Sequence, residues 1–144
     1  MISFTLPIAP ESMQSQTRFA RRKRRVITYS TDRKVTYLHD IAGQAAAYLP
    51  PQKMAGPVIL CLIFVLARPK YLEGKRHPAG WIPCAKRPDT TNLLKAFEDG
   101  LSLAGFWNDD GQVFDSRQLK VYAERGGDAR TIVSIQEVPA DYQP

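Results

Sequence analysis

Acidic residues in the second half of the chain are the side chains best suited to metal chemistry. Asp89 follows a proline at the start of an amphipathic segment, and the adjacent pair Asp109 and Asp110 lies in a short turn that Gly111 ends. Lys95 lies between these two acidic positions. Magnesium binds oxygen ligands, carboxylates above all, so this combination of side chains favours a magnesium site.

A helix is expected to hold these side chains in place. Pro88 disfavours helical geometry at the residue before it, so the helix begins after Pro88, and Asp89 or the two threonines that follow can cap its first amides. Apolar residues at helical spacing form one face: Leu93, Phe97, Leu101 and Ala104. Polar residues form another face: Asn92, Lys95 and Asp99. Gly105 is placed to end the helix in a left-handed cap.

The complete pattern is long and regularly spaced. Its helical part consists of Asp89, Asn92, Leu93, Lys95, Asp99 and Leu101. Its second part consists of Gly105, Phe106, Trp107, Asp109, Asp110, Gln112 and Val113. The pattern resembles the RusA family of Holliday junction resolvases over about the last third of the chain, while the N-terminal part is similar only loosely. The resemblance implies a small, dimeric, magnesium-dependent endonuclease that cuts four-way DNA junctions, of a type that phages and prophages often carry.

The resemblance also implies roles for individual residues. Asp89 and Asp110 correspond to metal ligands, and Asp109 to a weaker accessory ligand. Lys95 corresponds to a residue that contacts the scissile phosphate or stabilises the charge that develops there. The implied cofactor is Mg²⁺, with Mn²⁺ as an alternative. The implied reaction is phosphodiester hydrolysis by paired nicks, in DNA recombination and repair.

Thr91 departs from the family pattern. The family usually has Asp-x-Asp-Asn-Leu, so a threonine stands where the second carboxylate is expected. A threonine hydroxyl is a poor magnesium ligand, and Glu98 and Asp99 lie two helical turns away, about 10 Å along the axis. We therefore expect a working enzyme that needs more metal, with Thr91, Asn92 and Asp99 as accessory residues.

Two other functions remain open on the same residues. A chain whose site is disabled at Thr91 would be a catalytically impaired protein of the same fold that binds DNA junctions. A less selective site would make a general nuclease acting on branched DNA such as flaps or forks. Metal-dependent nicking separates the first alternative from a resolvase, and competition among DNA shapes separates the second.

Charge is distributed unevenly along the chain. The net charge is +6, but residues 1–88 carry 15 Lys and Arg against 4 Asp and Glu, whereas residues 89–144 carry 5 against 10. A basic first half and an acidic second half fit a DNA-binding surface around a carboxylate site, the alternative being solvated charge without a partner. Six cations lie within residues 18–25, which predicts a flexible loop at about 12–30 that orders on phosphate. The residues expected to bind DNA are Arg18, Phe19, Arg21, Arg22, Lys23, Arg24, Arg25, Lys75, Arg76, Lys86 and Arg87.

The remaining pattern indicates a single α/β (α+β) domain spanning residues 1–144, with a small mixed β-sheet of about four to five strands and two principal helices. The resemblance to the RusA family implies in addition a homodimer. The other expected elements are a strand at 2–6, a helix at 31–49, a buried strand at 57–67, a loop at 68–88, strands at 112–123 and 130–138 joined as a hairpin by Gly126-Gly127-Asp128, and a frayed tail at 139–144. The helix at 31–49 is expected to bury Val35, Leu38, Ala42, Ala45 and Leu49. The unbroken apolar strand at 57–67 is expected to be covered on both faces, with a subunit interface as one cover.

The sequence argues against several other classes of protein. Two cysteines are too few for a disulfide framework and are not paired with histidines at zinc-like spacing, and Cys61 is expected in the core. The longest apolar run is half the length of a membrane span, and no signal peptide is visible, so we expect a cytoplasmic protein without a membrane partner.

Overall fold

The computed structural model describes residues 1–144, which form seven strands and two helices. The strands are β1 (Ile2–Leu6), β2 (Thr17–Arg22), β3 (Arg25–Ser30), β4 (Val58–Leu66), β5 (Ile82–Pro83), β6 (Val113–Tyr122) and β7 (Arg130–Glu137). The helices are α1 (Asp32–Ala45) and α2 (Thr90–Ala104). Short 3-10 turns cover Gln14–Gln16, Ala46–Tyr48, Lys70–Leu72 and Asp110–Gln112.

Five strands form one mixed sheet in the order β1-β7-β4-β6-β5. β4 lies in the centre, antiparallel to β7 and parallel to β6. The prediction of a C-terminal hairpin is therefore wrong, because β4 lies between the two strands that the glycine turn connects. β4 is the most apolar strand, and a central position gives both of its edges a hydrogen-bonding neighbour. The predicted mixed sheet with two principal helices is confirmed.

Both helices contribute to one core on a single face of the sheet. Leu93, Phe97 and Leu101 of α2 are fully buried, as their spacing predicts. The two helices approach closely at Gly100, where an added Cβ would lie 2.6 Å from Cγ2 of Ile41. Only glycine permits this approach without a shift of the neighbouring helix.

The face that α1 buries agrees only in part with the predicted one. Its buried residues are Tyr37, Ile41 and Ala45. Of the predicted stripe, Ala45 is buried, Leu38 and Ala42 are half-buried, and Val35 and Leu49 are exposed. The Tyr37 hydroxyl donates to the carbonyl of Ala9 at 2.9 Å and accepts from the amide of Glu11 at 3.0 Å, and burial raises the pKa of this phenol well above its usual value. The helix is therefore rotated to place a large aromatic ring, with its polar tip satisfied, in the core.

The opposite face of the sheet is covered only in part. A small cluster of Val65, Val121 and Ala123 is buried there, and Ile63 and Ile132 pack against it while half-exposed. The side chains of this open face include Ile59, Cys61, Ile63, Asp115, Arg117, Leu119, Ile132 and Ser134. The central strand is therefore not covered on both faces within one chain.

Residues 17–30 form a two-stranded hairpin, β2 paired with β3, and not the flexible loop that the charge density predicts. The turn is short, with Lys23 at a positive φ of 54°. The β-branched run from Val26 to Thr28 favours extended structure despite the neighbouring cations. Phe19 and Val26 are 72% and 68% exposed, so the hairpin adds little to the core.

The segment expected as a loop at 68–88 is irregular over most of its length and is anchored by a buried arginine. The Arg68 guanidinium donates to the carbonyls of Leu72 at 3.0 Å, Gly80 at 3.2 Å and Pro78. The loop adds only the short strand β5, paired with the end of β6. A positively charged side chain that bonds several carbonyls of one segment fixes that segment to the end of β4.

Three smaller expectations concern the cysteines, the tail and membranes. Both cysteines are free, Cys84 being buried while Cys61 is partly exposed on the open face and not in the core. In the tail, Tyr142 packs edge-on against Phe114, with ring centroids 6.0 Å apart. Neither helix is long and apolar enough to span a membrane.

Candidate active site

The carboxylate of Asp89 is exposed to solvent at the start of α2. Asp89 is the N-cap residue, and its carbonyl accepts hydrogen bonds from the amides of Asn92 at 3.1 Å and Leu93 at 3.2 Å. Its side chain makes no capping hydrogen bond and is exposed, so the predicted side-chain cap by Asp89 is wrong. Both oxygens of this carboxylate are available to an external ligand.

Lys120 on β6 fixes the segment that leads into Asp89. Its ammonium donates to the carbonyl of Pro88 at 2.7 Å and to that of Lys86. The carbonyl of Lys120 in turn accepts from the amide of Cys84 at 3.1 Å. A lysine on the sheet therefore fixes the position of the segment that leads into α2 and the first acidic residue.

The acidic turn is held by side-chain hydrogen bonds of its own. Asp109 Oδ1 accepts from the amide of Gly111 at 2.6 Å, and Gln112 Oε1 accepts from the amide of Asp109 at 2.9 Å. Gln112 Nε2 also donates to the carbonyls of Met54 and Gly56, each at 2.9 Å. Asp109 therefore shapes the turn, and Gln112 fastens the turn to the segment before β4.

Asp110 is the carboxylate that this turn presents to α2. Its Oδ1 accepts a hydrogen bond from Nε1 of Trp107, which is buried, at 3.4 Å. The negative charge of Asp110 contributes to raising the pKa of Lys95 and the pKa of Glu98. Residues from the turn and from the helix therefore share one electrostatic environment.

Lys95 is the cation of this group. Its ammonium donates to Asp99 Oδ1 at 2.9 Å, and this hydrogen bond is the main reason why the pKa of Lys95 is raised. Burial is the main cause of the raised pKa of Glu98, with Asp110 and Asp99 acting in the same direction and Lys95 against it. Lys95 therefore remains protonated near neutral pH and offsets the negative charge around it.

A groove runs between α2 and the segment at residues 12–17. Its inner cavity, about 350 Å³, is lined by Gln14, Thr17, Lys34, Asn92, Lys95 and Asp99 above the apolar side chains of Met13 and Ala96. Its outer cavity, about 560 Å³, is lined by Ser12, Gln14, Ser15, Arg87, Asp89 and Asn92. Gln14 and Asn92 line both cavities, which therefore adjoin. The polar helix face predicted from Asn92, Lys95 and Asp99 does face one cavity.

Five polar residues of this groove were not among the predicted site residues: Ser12, Gln14, Ser15, Thr17 and Lys34. Each lies more than 50 residues from the acidic motif in the sequence, and no local pattern links it to the motif. The one sequence feature that could have indicated such a role is Lys34, which lies in the first turn of α1, where the helix dipole disfavours a cation.

The predicted metal ligands lie on two elements, Asp89 at the start of α2 and Asp110 in the acidic turn. No three His, Cys, Asp or Glu side chains are grouped as a metal cage. The Asp89 carboxylate makes no capping hydrogen bond, and the Asp110 carboxylate accepts one from Trp107. Thr91 is exposed on the first turn of α2. Magnesium commonly takes one or two protein carboxylates and completes its shell with waters and substrate phosphate oxygens. The residues present fit that mode of binding better than a closed cage.

Cations surround the groove on two sides. Arg87 lines the outer cavity together with Asp89, and Lys86 donates to the hydroxyl of Tyr71 at 2.9 Å. Lys75 and Arg76 are exposed on the loop that Arg68 anchors. On the other side, the predicted cations of residues 18–25 lie on the exposed β2–β3 hairpin. The structure thus places carboxylates and cations together in the groove, next to an exposed cationic hairpin.

Fold and site together define a small α/β domain that presents carboxylates and a lysine beside a cationic surface. The family model described as Endodeoxyribonuclease RusA matches residues 7–136, and the chain belongs to this family. The match extends the similarity well beyond the last third of the chain, into the segment that lines the groove.

Individual relatives match over a shorter stretch. The chain is 48% identical over 46 residues to proteins named Crossover junction endodeoxyribonuclease RusA from Escherichia coli (strain K12), Enterobacteria phage 82 and Shigella sonnei (strain Ss046). The aligned stretch is 32% of this chain and 38% of each relative. The chain therefore matches well under half the length of these curated relatives.

Proposed function

We propose that this protein is a magnesium-dependent endonuclease that resolves four-way DNA junctions by paired nicks, in DNA recombination and repair. The observation that supports the proposal is the groove in which Asp89, Asn92 and Lys95 line adjoining cavities, with the charge of Asp110 acting on Lys95. Membership of the RusA family and the names of the relatives agree with this activity.

In this proposal Asp89 and Asp110 are the magnesium ligands. Magnesium held by these residues would supply a nucleophilic hydroxide and neutralise charge on the phosphate. Asp89 is preset for this role by Lys120, which holds the segment before it, and Asp110 by Trp107. Thr91 contributes no charge, so the metal is held more weakly than by three carboxylates, and Mn²⁺ is a plausible substitute for Mg²⁺.

Lys95 is the residue proposed to contact the scissile phosphate. Its raised pKa keeps it cationic, and its bond to Asp99 directs the ammonium along the helix face that lines the inner cavity. A fixed cation at this point stabilises the negative charge that develops on the phosphate oxygens. Asn92, between the two cavities, is proposed to orient a water or a phosphate oxygen.

The β2–β3 hairpin is proposed to bind the DNA backbone. It carries Arg18, Arg21, Arg22, Lys23, Arg24 and Arg25 on an exposed ribbon whose base adjoins the groove at Thr17. Phosphate contacts of this kind supply most of the affinity for DNA and make it salt-dependent. Phe19, which is largely exposed on the same ribbon, is the residue proposed to stack on bases at the junction centre.

The open face of the sheet is proposed as the interface of a homodimer. Ile63 and Ile132 are only half-buried there, and Leu119 is 49% exposed beside Ile63. Two copies that pack this apolar face together complete the cover of the central strand and pair two sites on one junction. Leu119→Arg should convert the dimer to a monomer in light scattering, whereas Leu103→Arg on exposed α2 should leave the mass unchanged. A wild-type monomer at working concentration would remove this part of the proposal.

The decisive experiment is cleavage of a labelled synthetic four-way junction beside its linear duplex, with and without magnesium. The wild type should make paired, magnesium-dependent nicks on the junction and leave the duplex intact. Asp110→Asn should abolish the nicks, and Asp128→Asn, which removes the same charge from an exposed turn, should not.

Other results would select a different function. Tight junction binding without nicking in magnesium or manganese would identify a DNA-binding relative impaired at Thr91. Equal cleavage of flaps, forks and junctions would identify a general branched-DNA nuclease. Magnesium-independent cleavage, or full activity of Asp110→Asn, would overturn the assigned site.

A further inference from the structure

The inner cavity lies beside the proposed catalytic residues but is built largely by another part of the chain. Thr17 comes from the base of the hairpin and Lys34 from the first turn of α1, and both line the cavity together with Lys95. None of the proposed metal ligands lines this cavity. Its function is therefore separate from holding the metal.

Lys34 is a half-buried cation without an anionic partner. Its ammonium donates to the Thr17 hydroxyl at 3.3 Å, and no carboxylate lies within ion-pair distance of it. The neighbouring Arg33, by contrast, is paired with Glu11 at 2.8 Å. The helix dipole disfavours a lysine in the first helical turn, even with Asp32 in the same turn, so an anion bound beside Lys34 would stabilise it.

The charges on the cavity wall favour an anion. Lys34 and Lys95 are positive, and Asp99 is the one carboxylate on the wall, already bonded to Lys95. The side chains of Gln14 and Thr17 add polar groups that accept or donate hydrogen bonds. Two lysines against one engaged carboxylate leave a net positive cavity of a size that admits a phosphate group.

We propose that the inner cavity binds a backbone phosphate of the DNA strand next to the scissile one, through Lys34 with Thr17 and Gln14. This inference rests on the proposed nuclease function, because the scissile phosphate is taken to lie at Asn92, where the cavities adjoin, between Asp89 of the outer cavity and Lys95 of the inner one. The two cavities adjoin at Gln14 and Asn92, so consecutive phosphates of one strand occupy adjoining subsites. The N-terminal segment thereby determines which phosphates of the DNA strand lie along α2.

The test compares Lys34→Gln with Arg33→Gln, which removes the same charge one residue away from a side chain already paired. Binding to a four-way junction is measured in EDTA over a range of salt concentrations. Lys34→Gln should bind about tenfold more weakly. Its log–log salt slope should be shallower by about 1, and Arg33→Gln should match the wild type. Lys34→Arg keeps the charge and should bind like the wild type, and an unchanged unfolding midpoint of Lys34→Gln excludes a folding defect as the cause.

Neutral methylphosphonates placed one at a time along the strand locate the contact. At one position next to the cut, the substitution should weaken the wild type but not Lys34→Gln. Equal slopes for the two glutamine variants, or equal losses at every methylphosphonate position, would overturn the subsite. A wild type that does not bind DNA would overturn it together with the nuclease function. A junction-binding wild type that never cuts, but shows the Lys34 effect, would refute the nuclease and support the subsite.

Discussion

Residues 89–113 and residues 12–34 meet in one groove but are built in contrasting ways. The first region is a helix and a turn fixed by buried side chains, by Lys120 and by Gln112. The second region carries the β2–β3 hairpin, in which residues 21–30 are all exposed. The acidic side chains therefore lie on a rigid support, while most of the cations lie on an element with little core of its own.

This contrast separates the residues suited to binding a phosphate backbone from the residues suited to metal-assisted chemistry. A metal-assisted site needs its carboxylates in fixed positions, and only a packed helix and a bonded turn provide that precision. Attraction to a phosphate backbone depends on charge more than on exact position and tolerates an exposed ribbon. Substitutions in the two regions should accordingly affect different measurements.

The largest expected difference concerns two phenylalanines. Phe97 is fully buried and packs near Phe64 and Tyr37, with ring centroids 5.7 Å and 6.2 Å away. Phe97→Ala should lower the free energy of unfolding by about 3–5 kcal/mol. Phe19→Ala on the hairpin should change it by less than about 0.5 kcal/mol. Urea unfolding of both variants measures the difference, and a large loss for Phe19→Ala would show that the hairpin is part of a packed structure after all.

The next effect concerns the cations of the hairpin. The double variant Arg21→Gln, Arg24→Gln should make the log–log salt slope of junction binding shallower by about 2 and should leave the unfolding midpoint unchanged. The control double variant Arg33→Gln, Lys53→Gln has the same net charge and should keep the wild-type slope. Identical slopes for the two double variants would mean that the hairpin acts only through overall charge.

A smaller effect is expected from restoring a carboxylate to the rigid region. Thr91→Asp should reach half-maximal cleavage at about tenfold less magnesium, because it adds a charged oxygen ligand at the start of α2. Thr90→Asp adds the same charge on the adjacent position and serves as the control. No change or a loss of cleavage for Thr91→Asp, or an equal gain for Thr90→Asp, would remove the ligand role from position 91.

The smallest effect concerns Glu98 on the same helix. Burial raises the pKa of Glu98 in the folded state, and the charges of Asp110 and Asp99 act in the same direction. Folding is therefore favoured when this carboxyl is protonated. That stability is lost as the pH rises through the folded-state pKa. Glu98→Gln, measured in EDTA, should therefore be more stable than the wild type at pH 7, by about 0.5 kcal/mol or less because the side chain is partly solvated. The difference should vanish below about pH 4, where both states are protonated. An unchanged gain at low pH would rule out this explanation.

The sequence was sufficient wherever structure depends on neighbouring residues. Pro88, the apolar spacing of Leu93, Phe97 and Leu101, and Gly105 at φ 98° define α2 locally, and the observed helix agrees with the prediction. The polar face of α2 could be predicted for the same reason, since helical geometry alone places Asn92, Lys95 and Asp99 together. The strands at both ends of the chain were predicted to within about two residues.

Predictions failed where the outcome depends on distant partners. β6 and β7 are joined by a glycine turn, yet β4 lies between them, because a strand so apolar gains more from two neighbours than a hairpin gains from its turn. α1 turned Tyr37 inward in place of Val35, because the carbonyl of Ala9 and the amide of Glu11 were available to its hydroxyl. No window of sequence contains these partners.

The sequence by itself thus determined α2, the acidic turn, the family and the excess of positive charge in the first half of the chain. Tertiary structure alone decided that Gln14, Thr17 and Lys34 face the polar side of α2, that Lys120 fixes the segment before Asp89, and that one face of the sheet stays open. The physical reason is that caps, turns and periodicity act over a few residues, whereas a groove is made by surfaces that meet only when the core has packed.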